Sequence, residues 1–201
     1  MKVAIIKYNA GNIQSVDYAL KRLGVEAAVT ADPHEIRSAD RVIFPGVGEA
    51  STTMAYLRKH RLDELIINLQ KPVLGICLGL QLMCRHSEEN DTDCLGIFDE
   101  TVKRFELRTD LLPSMKIPHM GWNTISGLKS DLFDPSLEEQ HFYFVHSYYA
   151  TMGSDTAAIC SYSIPFSAAL QKDNFYAVQF HPEKSGTVGA KILENFLQLK
   201  I

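Results

Sequence analysis

The strongest constraint on the fold is the alternation of short apolar segments with amphipathic segments along residues 1–77. Four apolar segments are predicted to be strands, and they span residues 2–8, 25–30, 40–46 and 71–77. Between them, helical spacing of apolar residues is found over 13–24, 32–39 and, in one or two pieces, 49–70. The strand cores "AII", "VIF" and "VLGI" are continuously apolar, as is typical of strands covered on both faces. The alternation therefore predicts an α/β fold, a doubly wound and mainly parallel sheet with helices on both faces.

The second half of the chain has a different pattern. Short β-like segments dominate it, at 101–107, 121–126, 141–150 and 157–162. A hairpin is predicted over 166–180 with its turn at Lys172-Asp173-Asn174, and an amphipathic helix over 187–199. This pattern predicts a smaller antiparallel β portion beside the main sheet. No linker or repeat separates the halves, so residues 1–201 are expected to form a single domain.

Composition and charge argue against several classes of function. The net charge of −4 offers no basic face of the kind that binds nucleic acid. No run of eighteen apolar residues occurs, so no membrane span is expected, and the first residues lack the long apolar core of a signal peptide. A cytoplasmic location is therefore expected. The four cysteines form no C-x-x-C pair, which argues against a zinc ribbon or a thioredoxin-type site.

The segment "KPVLGICLGLQLMC" places Cys77 between two glycines where a predicted strand meets a predicted helix. This is the pattern of a nucleophile elbow, in which Gly75 and Gly79 remove side chains that would collide in a tight, strained turn. At a helix N-terminus, the dipole and the backbone N–H groups favour the nucleophilic thiolate over the thiol. Taken alone, the motif is equally compatible with a buried packing cysteine, so a catalytic interpretation depends on the rest of an active site.

His181 and Glu183 stand two positions apart in "VQFHPEKSG", at the end of another predicted strand. On an extended segment such residues project to the same side, and Pro182 stiffens the connection. Glu183 can then orient His181 as the general base for a nucleophile. Because parallel strands present their carboxyl ends at one edge of the sheet, Cys77, His181 and Glu183 are predicted to form a catalytic triad.

The segment "FPGVGEA" follows the strand predicted at 40–46 and contains Gly46, Val47 and Gly48. A backbone N–H group of this loop, together with that of Leu78, is predicted to bind an oxyanion. A dinucleotide-binding loop is the weaker alternative, because the third glycine of that motif is missing. A plain turn remains a further alternative.

Six motifs in order resemble the class I (triad) glutamine amidotransferases over nearly the whole chain. "PGVGEA", "LGICLGLQLM" and "FHPEKSG" carry the class, and "YNAGNIQSV", "PHMGWN" and "FVHSYY" narrow it to glutaminase subunits that serve a (β/α)₈ cyclase. The resemblance implies that glutamine is hydrolysed to glutamate and ammonia through a cysteinyl thioester. Cys77 would attack the amide, His181 would move protons, and Glu183 would orient and stabilise His181.

The resemblance also implies an oxyanion strand, substrate contacts and a partner interface. The oxyanion strand matches Gly46 to Gly48, and the substrate L-glutamine would be held by Gln81, Glu89, His146, Ser147 and Tyr148. The partner would be a (β/α)₈ cyclase subunit in a heterodimer, into which ammonia passes. Positions at or near that interface match Asn12, Pro118, His119, Met120, Trp122 and Lys184. From the residues alone, Trp122 is equally compatible with a core position, and Lys184 is expected to point away from the triad.

No cofactor is expected, and no metal site either, because the histidines lack H-x-x-x-H spacing and carboxylate companions. The segment "MCRHSEEN" departs from the family pattern, and Cys84 within it is predicted to be a packing residue. Free glutaminase activity is expected to be low, with the oxyanion loop misaligned until the partner binds its substrate. Two alternatives stay open, a non-catalytic subunit on the same fold and a glutaminase or γ-glutamyl hydrolase of another pathway. The complete triad disfavours the first, and "PHMGWN" disfavours the second.

Overall fold

The computed structural model describes residues 1–8, 12–106 and 116–199. Asn9, Ala10 and Gly11 of the "YNAGN" motif and Leu107 of the predicted segment 101–107 lie outside these residues. The helices are α1 (Ile13–Arg22), α2 (Pro33–Ser38), α3 (Ala50–Lys59), α4 (Leu62–Ile67), α5 (Leu78–Met83) and α6 (Gly186–Gln198). Two 3₁₀ turns span Pro135–Leu137 and Pro182–Lys184.

The strands alternate with these helices in the first half of the chain and then follow one another. They are β1 (Val3–Ile6), β2 (Ala27–Thr30), β3 (Arg41–Gly46), β4 (Val73–Cys77), β5 (His86–Ser87), β6 (Thr92–Asp93), β7 (Thr101–Arg104), β8 (His119–Thr124), β9 (His141–His146), β10 (Tyr148–Ala150), β11 (Thr156–Tyr162), β12 (Ile164–Lys172) and β13 (Phe175–Val178). The small hairpin β5–β6 has no counterpart in the sequence prediction.

Local sequence explains where the early helices begin and end. The Asp32 side chain accepts a 2.7 Å hydrogen bond from the His34 backbone, and Pro33 occupies the first helical position of α2. The predicted helical stretch 49–70 divides into α3 and α4 at Arg61, whose φ of 55° is incompatible with a continuous helix. The chain therefore forms this stretch in two pieces.

The main sheet combines a parallel half with an antiparallel half, as predicted. Its strand order within the described residues is β2-β1-β3-β4-β13-β12-β10-β7-β5-β6, with β11 paired to β12. Strands β2, β1, β3, β4 and β13 are parallel neighbours, whereas β12 pairs antiparallel to β13. A separate two-stranded antiparallel sheet is formed by β8 and β9. The predicted hairpin is confirmed, because β12 ends at Lys172 and β13 begins at Phe175.

Helices cover both faces of the parallel half, and alternate strand residues divide between two cores. Ile43 belongs to the core beneath α1 and α6, whereas Val42 and Phe44 belong to the core beneath α2 to α5. This division explains why the strand segments are continuously apolar. Among the described residues, no helix is both long enough and apolar enough to span a bilayer. The doubly wound arrangement brings the carboxyl ends of β3, β4 and β13 to one edge.

Candidate active site

Cys77 lies at the junction of β4 and α5 in a conformation that few residues adopt, with φ 54° and ψ −107°. A Cβ atom at Gly79 would lie 2.1 Å from the Phe44 carbonyl oxygen, and one at Gly75 would lie 3.0 Å from the Gly79 backbone. The two glycines therefore allow β3, β4 and the start of α5 to approach each other closely. The predicted tight elbow is confirmed as a conformation.

The thiol of Cys77 is almost entirely enclosed. Its Sγ atom lies 3.9 Å from the Val145 carbonyl oxygen, to which the S–H can donate, and 3.6 Å from Nε2 of Gln179. Because α5 begins at Leu78, the N–H groups of its first turn have no partners within the helix. Unpaired N–H groups at the start of a helix favour negative charge nearby, and Cys77 is the residue that immediately precedes α5.

His181 and Glu183 are hydrogen bonded through Nδ1 and Oε1 at 2.7 Å, and both side chains are buried. The expected extended segment is wrong, because Pro182–Lys184 forms a 3₁₀ turn that His181 precedes. Pro182 supplies a φ that suits the first position of such a turn. The turn still brings residues i and i+2 into contact, so the predicted pairing is present with a different backbone.

The second ring nitrogen of His181 is available for proton transfer. Within the described part of the chain, its Nε2 makes no hydrogen bond. Burial disfavours the imidazolium, but the neighbouring Cys77 sulfur and Glu183 outweigh burial and raise the pKa of His181 to about 10. A thiolate at Cys77 therefore favours a protonated His181, as in a thiolate–imidazolium pair.

Asn12, which the resemblance places at or near the partner interface, reaches this buried pair. Its Nδ2 donates a hydrogen bond to Oε1 of Glu183 and lies 3.4 Å from Nδ1 of His181. The carboxylate thus accepts from the imidazole and from the amide. Sequence spacing gave no indication of this contact, because it joins the start of α1 to the turn before α6.

The predicted oxyanion loop follows β3 beside the nucleophile. Gly46 pairs with Cys77 in the β3–β4 register, and a Cβ atom there would lie 2.7 Å from the Leu78 Cβ. Gly46 therefore provides space for the elbow. Val47 and Gly48 come next, and Gly48 has a φ of 122° that only glycine adopts readily. Conformational freedom in this loop is thus located at Gly48.

A cavity of about 340 Å³ opens beside Cys77, within the size range of small-molecule sites. Its lining includes all five predicted substrate residues and all of the predicted oxyanion residues except Gly46. The full lining is Val47, Gly48, Cys77, Leu78, Gln81, Glu89, Pro118, Val145, His146, Ser147 and Tyr148. Burial raises the pKa of Glu89, whose Oε2 accepts a 2.7 Å hydrogen bond from the Ala50 N–H. A larger cleft of about 500 Å³ lies beside α6, and its described lining contains no cysteine or histidine.

The sequence profile described as "Glutamine amidotransferase class-I" matches residues 4–199. The chain belongs to the class-I glutamine amidotransferases. It is 64% identical over 199 residues to a protein from Bacteroides fragilis named imidazole glycerol phosphate synthase subunit HisH, with 99% of this chain and 100% of that protein covered. It is 46% identical over 201 residues to the protein of that name from Escherichia coli strain K12, with 99% and 100% covered. A crystal structure of a glutamine amidotransferase has the same fold, with a TM-score of 0.75 at 18% identity and 98% of each chain covered.

The histidines of this amidotransferase that flank the cavity form a chain of neutral side chains. Nδ1 of His146 lies 2.7 Å from the Tyr148 carbonyl oxygen, which can only accept, so this nitrogen carries the proton. Nε2 of His146 then accepts from Nδ1 of His119 at 3.0 Å, and Nδ2 of Asn123 lies 3.3 Å from Nε2 of His119. Burial lowers the pKa of His119 to about 4. Burial is also the largest of the causes that lower the pKa of His146 to about 3. Both rings are therefore neutral at pH 7, and His146 holds the backbone at Tyr148.

The structure divides the residues predicted at the partner interface. Met120 and Trp122 are 63% and 56% exposed on the same face of β8, and Lys184 is exposed as expected. The core alternative for Trp122 is thereby excluded. Pro118 lines the cavity, so the exposed face of β8 starts at the site. His119 is buried and belongs to the histidine chain.

Sequence reasoning missed three residues that lie against the elbow of the amidotransferase, namely Gln179, Val145 and Tyr8. Val178 pairs with Ile76, so Gln179 follows β13 directly opposite Cys77. The Tyr8 hydroxyl donates to the Pro45 carbonyl, next to the oxyanion loop. Only the pairing of β13 with β4, which spacing along the chain does not specify, could have identified Gln179. Cys84 is buried in the core beneath α2 to α5, as predicted for a packing residue.

Proposed function

We propose that this amidotransferase hydrolyses L-glutamine with Cys77, His181 and Glu183 as its catalytic triad, and that residues 1–201 act as one glutaminase domain. The observation that carries the proposal is the strained elbow at Cys77, which faces both a small-molecule cavity and the electrostatically coupled His181. A strained nucleophile beside a base that a carboxylate orients is the arrangement required for acyl transfer. The cavity supplies room for the substrate next to the sulfur.

The geometry supports a stepwise hydrolysis. The Cys77 proton passes to Nε2 of His181, and the thiolate attacks the side-chain amide carbon of glutamine. N–H groups of Val47, Gly48 and Leu78 receive the developing oxyanion. His181 then returns the proton to the leaving nitrogen, which departs as ammonia. Water, deprotonated by the same imidazole, cleaves the thioester to glutamate and regenerates the thiol.

The cavity walls offer groups for both ends of the amino acid. The carboxylate of Glu89 can accept hydrogen bonds from the substrate ammonium group. Backbone groups of Ser147 and Tyr148, held by His146, can receive the substrate carboxylate or the side-chain amide. Gln81 donates 2.8 Å and 3.0 Å hydrogen bonds to Tyr148 and Gln179, and so fixes the wall from inside.

Two relatives named as subunits of imidazole glycerol phosphate synthase support a place for this chain in that enzyme. In this role it would form a heterodimer with a (β/α)₈ cyclase in the cytoplasm. Ammonia would pass to the cyclase, which converts PRFAR to imidazole glycerol phosphate and AICAR in histidine biosynthesis. The exposed face with Met120 and Trp122, which starts at the cavity, is the proposed contact.

The Cys77→Ala variant tests the glutaminase assignment, with Cys160→Ala as the matched control because Cys160 is also a buried cysteine. We expect Cys77→Ala to lose more than about a thousandfold in glutamine hydrolysis, as nucleophile removal does in other hydrolases. Cys160→Ala should keep its activity. Hydrolysis retained in Cys77→Ala would refute the assignment.

The synthase role is tested separately by mixing the chain with a purified cyclase subunit and PRFAR. Glutamine should yield imidazole glycerol phosphate with the wild-type chain, and only added ammonia should do so with Cys77→Ala. Turnover of glutamine is compared in three mixtures, which are the chain alone, the chain with the cyclase, and the chain with the cyclase and its ligand. It should be lowest in the first mixture and highest in the last. Equal rates in all three mixtures would contradict ligand-dependent activation.

A further inference from the structure

Gln179 lies where an amide can act on the nucleophile. It follows β13 directly opposite Cys77 and is fully buried, with 0% exposure. Its Nε2 atom lies 3.6 Å from the Cys77 sulfur, within range of an N–H···S hydrogen bond. Gln179 is not among the residues that line the cavity. It reaches the cavity wall only through its hydrogen bond with Gln81, so a variant that keeps the acceptor for Gln81 isolates the effect on the sulfur.

The surrounding hydrogen bonds determine which end of the Gln179 amide faces the sulfur. The Tyr148 carbonyl oxygen can only accept, so the group of Gln81 that lies 2.8 Å from it must be the NH₂ group. The same NH₂ group lies 3.0 Å from Gln179, whose oxygen must therefore face Gln81. This leaves the NH₂ group of Gln179 directed at Cys77. The orientation follows from a main-chain acceptor and does not depend on a choice between two similar amide rotamers.

A donor in this position acts differently on the two forms of the sulfur. A thiol accepts a hydrogen bond weakly, whereas a thiolate accepts a charge-assisted one. Water is largely excluded from Cys77, which is 6% exposed, so protein groups must supply the hydrogen bonds of the sulfur. We propose that Gln179 is a further catalytic residue, whose side-chain N–H stabilises the Cys77 thiolate before attack and when the thioester is cleaved. This inference rests on the proposed glutaminase role of Cys77.

The test is the rate at which iodoacetamide alkylates Cys77 in the full chain, measured against pH and followed by peptide mass spectrometry. Gln179→Met removes the donor at similar volume. Gln179→Glu keeps the acceptor for Gln81 but places a second oxygen at the sulfur. Asn174→Leu is the matched control, because Asn174 donates two 2.8 Å bonds to backbone carbonyls away from the site.

The pH at the midpoint of the alkylation curve reports the titration of Cys77 and His181 as a pair. Other titratable groups also face this pair, Tyr8 across the elbow and Glu89 and His146 at the cavity. We expect Gln179→Met to move this midpoint upward by about one pH unit and to lower kcat about tenfold, with KM for glutamine little changed. Gln179→Glu should move the midpoint further in the same direction, because a carboxylate repels the thiolate. Asn174→Leu should lower thermal stability without moving the midpoint.

The possible outcomes distinguish failure of the glutaminase role from failure of this inference. Unselective labelling of the wild type, with Cys77 no more reactive than the other cysteines, would overturn the glutaminase role and this inference together. Selective labelling of Cys77 with the same midpoint in wild type, Gln179→Met and Gln179→Glu would overturn the inference alone. A rate loss with no shift of midpoint would show a packing role and would also overturn it.

Discussion

The side-chain amide of Asn12 donates a hydrogen bond to the carboxylate of Glu183, across a sequence separation of 171 positions. The same amide lies 3.4 Å from Nδ1 of His181. The start of α1 is thereby joined to the proposed catalytic pair. A displacement of Asn12 would alter the hydrogen bonding of the carboxylate that is proposed to orient the base.

Asn12→Ala is expected to lower kcat for glutamine hydrolysis about tenfold, because a hydrogen bond to a charged group is worth about 1.5–3 kcal/mol. KM should change little, since Asn12 does not line the cavity. Steady-state kinetics of the chain with the proposed cyclase partner measures both kcat and KM. Lys21→Ala, which removes a surface ion pair on the same helix, is the control. Wild-type kcat in Asn12→Ala would show that the amide does not position the triad.

Stability should fall in mild acid because His119 and His146 are buried as neutral rings. Their pKa values are about 4 and about 3, against about 6.5 in an unfolded chain. The unfolded state therefore binds more protons below pH 6.5, and the stabilisation that is complete above pH 6.5 is lost as the pH falls toward 4. Each histidine contributes a slope of up to about 1.4 kcal/mol per pH unit.

Urea unfolding at pH values from 4.5 to 7.5 measures this slope. His119→Asn should reduce the slope of the unfolding free energy against pH by about the contribution of one histidine. The carboxylates contribute equally to the slopes of the wild type and the variant. His141→Asn, at an exposed histidine on β9, should leave the slope unchanged. A slope that is the same in wild type and His119→Asn would contradict the neutral pair.

Gly79→Ala should disrupt the elbow, because its Cβ would lie 2.1 Å from the Phe44 carbonyl oxygen. We expect a loss of about 3 kcal/mol in the free energy of unfolding, at the upper end of the range for overpacked sites. Gly96→Ala is the comparison, because its Cβ meets nothing within 4 Å and only the φ of 68° is unfavourable. That variant should lose about 1 kcal/mol. Equal losses in the two variants would show that the close approach at Gly79 is unimportant.

Trp122→Ala is expected to weaken binding to the proposed cyclase partner by about thirtyfold, or about 2 kcal/mol, as is typical of an aromatic hot spot. The free chain should keep its unfolding free energy within about 0.5 kcal/mol, since the ring is exposed. Calorimetric titration measures the binding. Ile67→Ala, at a 43% exposed apolar residue that precedes β4, is the matched control. Equal affinity of the Trp122→Ala and Ile67→Ala variants would place the interface elsewhere.

Many residues of the site could be predicted because they belong to short, local sequence motifs. The glycines beside Cys77 identify the elbow, and the cavity-lining set of Gln81, Glu89, His146, Ser147 and Tyr148 follows from family resemblance. The backbone at His181 was predicted incorrectly, because Pro182 is compatible both with an extended segment and with the 3₁₀ turn that forms. The contacts of Asn12 and Gln179 with the proposed triad could not be predicted from spacing, since each joins residues more than 100 positions apart along the chain.

The amino-acid order by itself determined the α/β alternation and the two-sided burial of the parallel strands, because both depend on the periodicity of apolar side chains. It also determined the tight turn at Cys77, because the neighbouring glycines have no Cβ atoms. Only the tertiary structure decided which groups surround the sulfur and the imidazole. The pairing of β13 with β4 and the position of α1 against the turn at Pro182–Lys184 bring them together. Such contacts depend on the packing of whole elements, and that packing is the sum of many weak interactions that no short stretch of sequence contains.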